Sequence, residues 1–173
     1  MIGVPGAVAA VVIAVALYFD VRWRKIPNAW TVPAAAAGVA YHVLQSGLRD
    51  GGAFAGAGLL VGVGVFLIPF LLGGMGGGDV KLFAALGAWL GWTDVLLLAL
   101  VAAAAGGIAA LAIMAIKGGF GRVRQVPRDL WTLVLTRHRV APDGKAPRMP
   151  YTIPCAVGFA VCLVRAAVLK TWE

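Results

Sequence analysis

The sequence predicts an all-α fold, a membrane-embedded bundle of about six transmembrane helices with its N-terminus outside. Of the 173 residues, 61% are hydrophobic and 13% are charged, whereas a soluble domain carries about 25% charged residues. The apolar residues form runs. Several runs have a length close to the ~20 residues that a helix needs to cross roughly 30 Å of hydrocarbon. The basic residues cluster between particular runs, as they do in the loops of membrane proteins. We predict a single integral-membrane domain over residues 1–173.

The first three predicted spans follow from apolar runs of differing strength. The first, 4–20, ends at Asp20, and no Lys or Arg precedes Arg22. It therefore lacks the basic start of a cleaved signal peptide and is predicted to be retained. The second span, 29–45, is weaker and rich in alanine, and the third covers 53–72.

The fourth predicted span, 80–91, is the shortest. Its apolar part, residues 80–90, rises only about 16 Å as a helix, so the span must start inside the bilayer or the bilayer must become thinner around it. We therefore expect Asp79, just before it, to lie beneath the headgroups. The sequence Gly-Trp-Thr-Asp at 91–94 is typical of a turn, and spans over 94–116 and 151–169 follow.

Charge distribution supports six spans and an orientation. With six spans and the N-terminus outside, 12 of the 15 basic residues fall in cytosolic loops, in agreement with the positive-inside rule. Without the fourth span, the basic segment 117–149 would lie on the side opposite Arg22 and its basic neighbours.

The net charge of +8 thus indicates contact with anionic lipids of the inner leaflet and not with nucleic acid. Within the long basic segment, an amphipathic helix starting at Pro127 is predicted to lie on that leaflet. A solvated loop anchored by its charge is the alternative.

Two carboxylates lie where a membrane makes them costly. Asp20 ends the first span and Asp79 begins the fourth, both on the cytosolic side in this topology. An aspartate at the centre of a membrane helix costs roughly 2.5–3.5 kcal/mol on insertion scales, so two such residues suggest a function. Two carboxylates that share one proton can activate a water molecule for peptide hydrolysis, as in aspartic proteases.

The chain offers no obvious metal or cofactor chemistry. Cys155 and Cys162 are its only cysteines, and their spacing of seven places them about 10 Å apart along a helix, too far to bridge. There is no Cys-x-x-Cys pair for zinc. We predict buried structural thiols, no cofactor and no metal.

The glycine-rich run 73–78 precedes Asp79. Five glycines in six positions would cost a helix roughly 5 kcal/mol relative to alanine, so the run is predicted to be a loop that lets another backbone approach closely. A phosphate-binding loop would need Gly-x-x-x-x-Gly-Lys-Ser/Thr after a strand, and neither is present.

Three segments together resemble one family, the type IV prepilin peptidases. Residues 20–28 (Asp-Val-Arg-Trp-Arg-Lys-Ile-Pro-Asn) are similar to the family's Asp-x-Arg-x-x-x-Ile-Pro-Asn segment. Residues 76–82 (Gly-Gly-Gly-Asp-Val-Lys-Leu) resemble its more specific Gly-x-Gly-Asp-x-Lys-Leu motif. Residues 150–154 (Pro-Tyr-Thr-Ile-Pro) resemble the Pro-Tyr-x-x-Pro-like entry to its last span.

The resemblance implies an integral-membrane aspartic endopeptidase of the cytoplasmic membrane, with its active site toward the cytosol. It would remove the short basic leader from prepilin-like precursors, with Asp20 and Asp79 as the catalytic aspartates. Larger members carry an N-terminal methylating region with two Cys-x-x-Cys pairs. Since these are absent, we predict no methyltransferase activity and a similarity to the short peptidases of tight-adherence (Flp-type) pilus systems.

The same motifs imply supporting residues around the aspartates. We expect the Pro27-Asn28 pair to set the turn into the second span, and Lys81 either to orient the site or to anchor in the headgroups. The other supporting residues are Gly76 and Gly78 beside Asp79, and Pro150, Tyr151 and Pro154 at the start of the last span.

Three alternatives remain open at the level of sequence. A presenilin-like intramembrane protease also uses a Gly-x-Gly-Asp loop, but its first aspartate lacks the basic Ile-Pro-Asn tail. A proton- or cation-coupled transporter could use Asp20 and Asp79 as ion ligands. An inactive scaffold relative would keep both residues without cleaving. The substrate and oligomeric state are not predicted.

Overall fold

The computed structural model describes residues 3–71, 75–118 and 152–170. Helices are the only regular secondary structure among these residues, which confirms the all-α class within the described ranges. The helices are α1 (Val4–Trp23), α2 (Asn28–Leu71), α3 (Gly77–Gly118) and α4 (Thr152–Lys170). Pro150, Tyr151 and the predicted helix starting at Pro127 lie outside the described residues.

Each of the two longest helices contains a non-helical glycine. Gly47 in α2 has φ 82° and ψ 167°, and Gly91 in α3 has φ 79° and ψ 174°. Such positive φ values are readily adopted only by glycine. Both breaks lie where the sequence predicts a boundary between spans: Gly47 between 29–45 and 53–72, and Gly91 at the predicted turn.

The break at Gly47 folds α2 back on itself. In a straight helix, residues 42 and 54 would be about 18 Å apart along the axis, yet the rings of His42 and Phe54 have centroids 4.7 Å apart. A Cβ at Gly51 would also collide with the backbone carbonyl of His42. Segments 28–46 and 48–71 therefore pack against each other as a helical hairpin.

Glycines allow segment 48–71 to pack against the first part of α3 with backbones in contact. A Cβ at Gly58 would collide with the Gly87 carbonyl oxygen, and a Cβ at Gly62 with that of Phe83. The converse also holds, because a Cβ at Gly87 would strike the Gly58 carbonyl. Small residues that let backbones approach are typical of helix contacts in membranes, where hydrophobic exclusion does not drive association.

The exterior of the bundle is apolar. Three described helical stretches are long and apolar enough to cross a membrane: Val4–Trp23, Asn28–Leu71 and Gly77–Ala109. In the most apolar window of each, 33% or fewer of the residues are buried within the protein. Large apolar side chains such as Leu48 and Leu60 are 80% and 71% exposed, an arrangement that suits surrounding lipid and not water.

The core is centred on the first half of α3. Leu82, Phe83 and Leu86 are at most 1% exposed, and one face of α1, including Val12 and Ile13, packs into the same cluster. Helix α4 joins through Gly158, where a Cβ would lie 3.1 Å from the Ala102 backbone nitrogen.

The end of the bundle near Gly91 is closed by hydrogen bonds from two aromatic rings. His42 donates from Nε2 to the Trp89 carbonyl at 3.0 Å, and the Trp89 indole donates to the Ala34 carbonyl at 2.8 Å. The His42 bond satisfies a carbonyl just before the break at Gly91, where regular helical bonding is interrupted.

The prediction that the whole glycine run is a loop is wrong at its C-terminal end. Gly77 and Gly78 already belong to the first turn of α3, and neither has a positive φ. Their role is close approach: a Cβ at Gly77 would lie 3.2 Å from the Phe70 ring, and one at Gly78 3.2 Å from Ile26 Cβ. Packing therefore offsets the poor helix propensity of glycine here.

Candidate active site

Four chain segments meet at the opposite end of the bundle from Gly91. They are the C-terminal part of α1, the connection 24–27, the N-terminus of α3 and the N-terminus of α4. Contacts between Asp20 and Thr152, Lys81 and Asn28, and Gly78 and Ile26 join them.

Asp20 is held on α1, one turn before that helix ends. The helix stops where Arg24 adopts the left-handed conformation, with φ 52° and ψ 32°, and donates its backbone N–H to the Asp20 carbonyl at 2.8 Å. The Asp20 side chain is only 9% exposed. A carboxylate at such a position requires polar partners, because burial without them is costly.

Thr152, the first residue of α4, supplies those partners. Its hydroxyl donates to Asp20 Oδ2 at 2.7 Å, and its backbone N–H lies 3.4 Å from the same oxygen. The first N–H groups of a helix have no partner within the helix, so Asp20 also caps α4 from a different element. This contact joins residues 132 positions apart in the chain.

Asp79 lies in the first turn of α3. Its backbone N–H donates to the Gly76 carbonyl at 3.2 Å, and a negative charge at this end of a helix is favoured by the helix dipole. A Cβ at Gly76 would lie 3.3 Å from Asp79 Oδ2. The glycine therefore leaves room beside the carboxylate.

The structure brings the two predicted aspartates together. Asp20 and Asp79 lie within electrostatic range of each other, although 59 residues separate them in the sequence. Cys155, one turn into α4 and fully buried, also lies within electrostatic range of Asp79. The first turn of α4 thus borders both carboxylates.

The Ile26-Pro27-Asn28 segment packs beside the start of α3. Lys81 donates from Nζ to Asn28 Oδ1 at 2.8 Å, on the exposed surface. The Pro27 carbonyl accepts from the backbone N–H groups of Trp30 and Thr31 at 3.1 and 3.4 Å, and so opens α2, as the predicted turn requires. Lys81 joins two of the three motifs.

Of the remaining predicted supporting residues, Pro154 is described and is buried in the first turn of α4. The residue that sequence reasoning missed is Thr152. Its place inside the third motif was the available signal, but nothing in its spacing indicated contact with Asp20.

Chemically, the site holds two neighbouring carboxylates: Asp20 is buried and accepts from a hydroxyl and a backbone N–H, and Asp79 is half-buried. Among residues 3–71, 75–118 and 152–170, no group of three or more His, Cys, Asp or Glu side chains is arranged to hold a metal ion. The groups present can accept, hold and return protons.

Fold and site together define a helical integral membrane protein with a paired-aspartate centre at one end of its bundle. The family model for the type IV leader peptidase family matches residues 7–111. The chain is also 34% identical to the leader peptidase HopD of Salmonella typhimurium over 138 residues, which cover 73% of this chain and 87% of that protein. No solved structure gives a significant match. The chain belongs to the type IV leader peptidase family, and is therefore a membrane-bound protease.

Proposed function

We propose that this protein is an aspartic endopeptidase that removes the short basic leader peptide from type IV prepilin-like precursors at the cytosolic face of the cytoplasmic membrane. The observation that carries the proposal is that Asp20 and Asp79 lie within electrostatic range of each other at one end of the bundle. Both lie within the 7–111 range of the family match. The likeness to a leader peptidase over most of both chains supports the class of substrate.

The pair supplies what peptide hydrolysis needs. Two neighbouring carboxylates do not ionise independently, since the first negative charge opposes the second. The ionised member takes a proton from a water molecule, whose oxygen attacks the scissile carbonyl carbon. The protonated member donates a hydrogen bond to the developing oxyanion. As the C–N bond breaks, a proton passes from the pair to the leaving nitrogen, giving a carboxylic acid and an amine, and the pair again holds one proton. The acid proton then passes to the amine or to water.

The proposed topology has six spans with the N-terminus outside. Each of α2 and α3 would contribute two spans, one on each side of its central glycine. The α2 hairpin supports this assignment, because an unbroken helix of 44 residues would be about 66 Å long, twice the roughly 30 Å hydrocarbon core. The basic segment 117–149 then lies on the anionic inner leaflet, on the same side as the aspartate pair.

The substrate would therefore meet the enzyme at the inner leaflet, where a basic leader and an apolar helix can both be accommodated. The proposal includes no methyltransferase activity and no nucleic-acid partner.

The test is co-expression with a prepilin-like precursor and comparison of wild type with Asp20→Asn and Asp79→Asn. Asparagine keeps the shape of each side chain and one acceptor oxygen, so Thr152 can still bond at position 20, while acid–base function is lost. Removal of such a group costs about 10²- to 10⁴-fold in rate. The matched control is Asp50→Asn, an exposed aspartate away from the site.

Loss of leader removal in both site variants, at wild-type protein levels and with Asp50→Asn unaffected, is the expected result. Cleavage by either site variant at the wild-type rate would refute the two-aspartate mechanism. A wild type that cleaves none of several prepilin-like precursors would refute the proposed function itself.

A further inference from the structure

Thr152 is placed to control the orientation of Asp20. It is 0% exposed, and its hydroxyl lies 2.7 Å from Asp20 Oδ2, a typical distance for a short, well-formed O–H···O bond. Its backbone N–H points to the same oxygen at 3.4 Å. Both donors approach Oδ2, so the bonds specify which carboxyl oxygen faces α4.

Helix α4 is itself held against α3, so Thr152 is a fixed anchor. Gly158 brings the α4 backbone against Leu98 and Ala102 of α3. Cys155 is buried in the first turn of α4 and lies near Asp79. The same turn therefore contacts Asp20 through Thr152 and lies within electrostatic range of Asp79 at Cys155.

The geometry assigns to Thr152 the role of a positioning residue for Asp20, which makes the first turn of α4 a third wall of the active site. This inference rests on the proposed peptidase function. It extends the site beyond residues 7–111, the range of the family match, to a helix that begins 132 residues after Asp20. Thr152 acts through Asp20 and is not proposed to contact the substrate. It acts by holding the Asp20 carboxyl in the orientation that faces Asp79 and the attacking water.

The closing experiment compares Thr152→Val, Thr152→Ser and wild type in kcat and KM for leader removal. Valine has nearly the shape of threonine but lacks the hydroxyl, while the backbone N–H that caps α4 remains. Loss of a hydrogen bond to a charged group predicts a fall in kcat of about tenfold or more, with KM within about twofold because substrate contacts are unchanged. Serine, which restores the hydroxyl, should recover most of kcat.

Thr31→Val is the matched control. Thr31 is 1% exposed, and its hydroxyl has no hydrogen-bond partner among the described residues. Thr31→Val therefore makes the same chemical change as Thr152→Val in an equally buried side chain, but it removes no hydrogen bond between described residues. Thr31→Val is expected to cleave at the wild-type rate.

A second measurement keeps the test independent of cleavage. In a double-mutant cycle, thermal unfolding in detergent is followed for Asp20→Ala, Thr152→Val and the double variant. The bond between them predicts that the double variant loses less in Tm than the sum of the single losses. The pair Asp20→Ala and Thr31→Val should be additive.

Three outcomes would overturn the inference: wild-type kcat in Thr152→Val, no rescue by serine, or an equal loss in Thr31→Val. Additive Tm losses for Asp20 and Thr152 would do the same. A wild type that cleaves no precursor overturns the proposed function instead, and the cycle alone then decides whether Thr152 holds Asp20.

Discussion

Asp20 and Asp79 have different surroundings, although both are aspartates at helix ends. Asp20 lies near the C-terminal end of α1, where the helix dipole disfavours a negative charge, and it receives a hydroxyl and a backbone N–H from Thr152. Asp79 lies in the first turn of α3, where the dipole favours negative charge, beside the space that Gly76 leaves open. Asp20 therefore has the less favourable position in its helix, and it is the carboxylate that receives hydrogen bonds from a second helix, α4.

Lys81 gives a prediction at the same scale. Its bond to Asn28 is exposed, so it contributes on the order of 0.5–1.5 kcal/mol. We expect Lys81→Met and Asn28→Ala each to slow leader removal by a few-fold, far less than the aspartate variants. The double variant should be no slower than the worse single variant, because both remove the same contact. Rates of precursor cleavage measure this.

Lys25→Met is the control for charge. Lys25 is also exposed and close to the site in sequence, and it has no hydrogen bond to Asn28. If Lys25→Met slows cleavage as much as Lys81→Met, the cleavage rate depends on positive charge near the leaflet and not on the hydrogen bond between Lys81 and Asn28. That result would favour the headgroup-anchor interpretation of Lys81.

At the scale of elements, glycine determines how closely α2 and α3 approach. Gly58 and Gly62 lie one turn apart on a buried face of α2, and carbonyl groups of α3 occupy the space where their side chains would be. Spacing of small residues by four is a known pattern in membrane helix contacts. The sequence reading of this run as an apolar span did not reveal which of its glycines face the partner.

Gly58→Ala is therefore expected to lower Tm in detergent. The added methyl group must displace the Gly87 backbone, and overpacking of this kind costs about 1–3 kcal/mol. Gly56→Ala and Gly64→Ala are matched controls on the same helix, since a Cβ at either meets nothing within 4 Å. Alanine is favoured over glycine in a helix, so both controls should keep or raise Tm. A lower Tm in the controls equal to that of Gly58→Ala would contradict the packing assignment.

The two helix breaks make a paired prediction. Gly47→Ala and Gly91→Ala both force a side chain into a positive φ with ψ near 170°, a region adopted almost only by glycine, at about 1–3 kcal/mol each. At Gly91 the new Cβ also strikes the Phe54 ring, whereas at Gly47 nothing lies within 4 Å. Gly91→Ala should therefore lower Tm more than Gly47→Ala, and Phe54→Ala should reduce the difference. Equal losses in Tm would show that backbone strain alone acts at both breaks.

At the scale of the whole molecule, the site lies at one end of an apolar bundle. The C-terminal part of α1 and the N-termini of α2, α3 and α4 meet there, while Gly47 and the His42–Trp89 hydrogen bond mark the other end. In the proposed topology, the two ends lie at opposite membrane faces. In the proposed topology, the basic residues at 22–25 put that end at the cytosolic face.

Cysteine labelling tests the six-span topology. The native cysteines Cys155 and Cys162 are both buried, so their background reaction with an impermeant maleimide should be low. Leu48→Cys and Trp92→Cys introduce thiols at positions that are 80% and 51% exposed, and Trp23→Cys one at a position 52% exposed. In right-side-out vesicles, positions 48 and 92 should be labelled and position 23 should not; inside-out vesicles should reverse the pattern.

Labelling of positions 48 and 92 from opposite sides would contradict six spans. Labelling of position 23 from outside, with the other two from inside, would keep six spans but invert the orientation. Active leader removal by each cysteine variant is the control that the protein is folded.

Local features of the chain were sufficient to predict its helical class and to single out two aspartates. Composition and apolar runs predicted the all-helical class, positive-φ glycines fell at the boundaries between predicted spans, and short motifs singled out Asp20 and Asp79. Tertiary structure alone decided that Gly77 and Gly78 are helical, that Gly58 faces Gly87, and that Thr152 binds Asp20. The physical reason is range. Hydropathy and turn preference act over a few neighbouring residues, whereas a hydrogen bond across 132 residues depends on how whole helices pack.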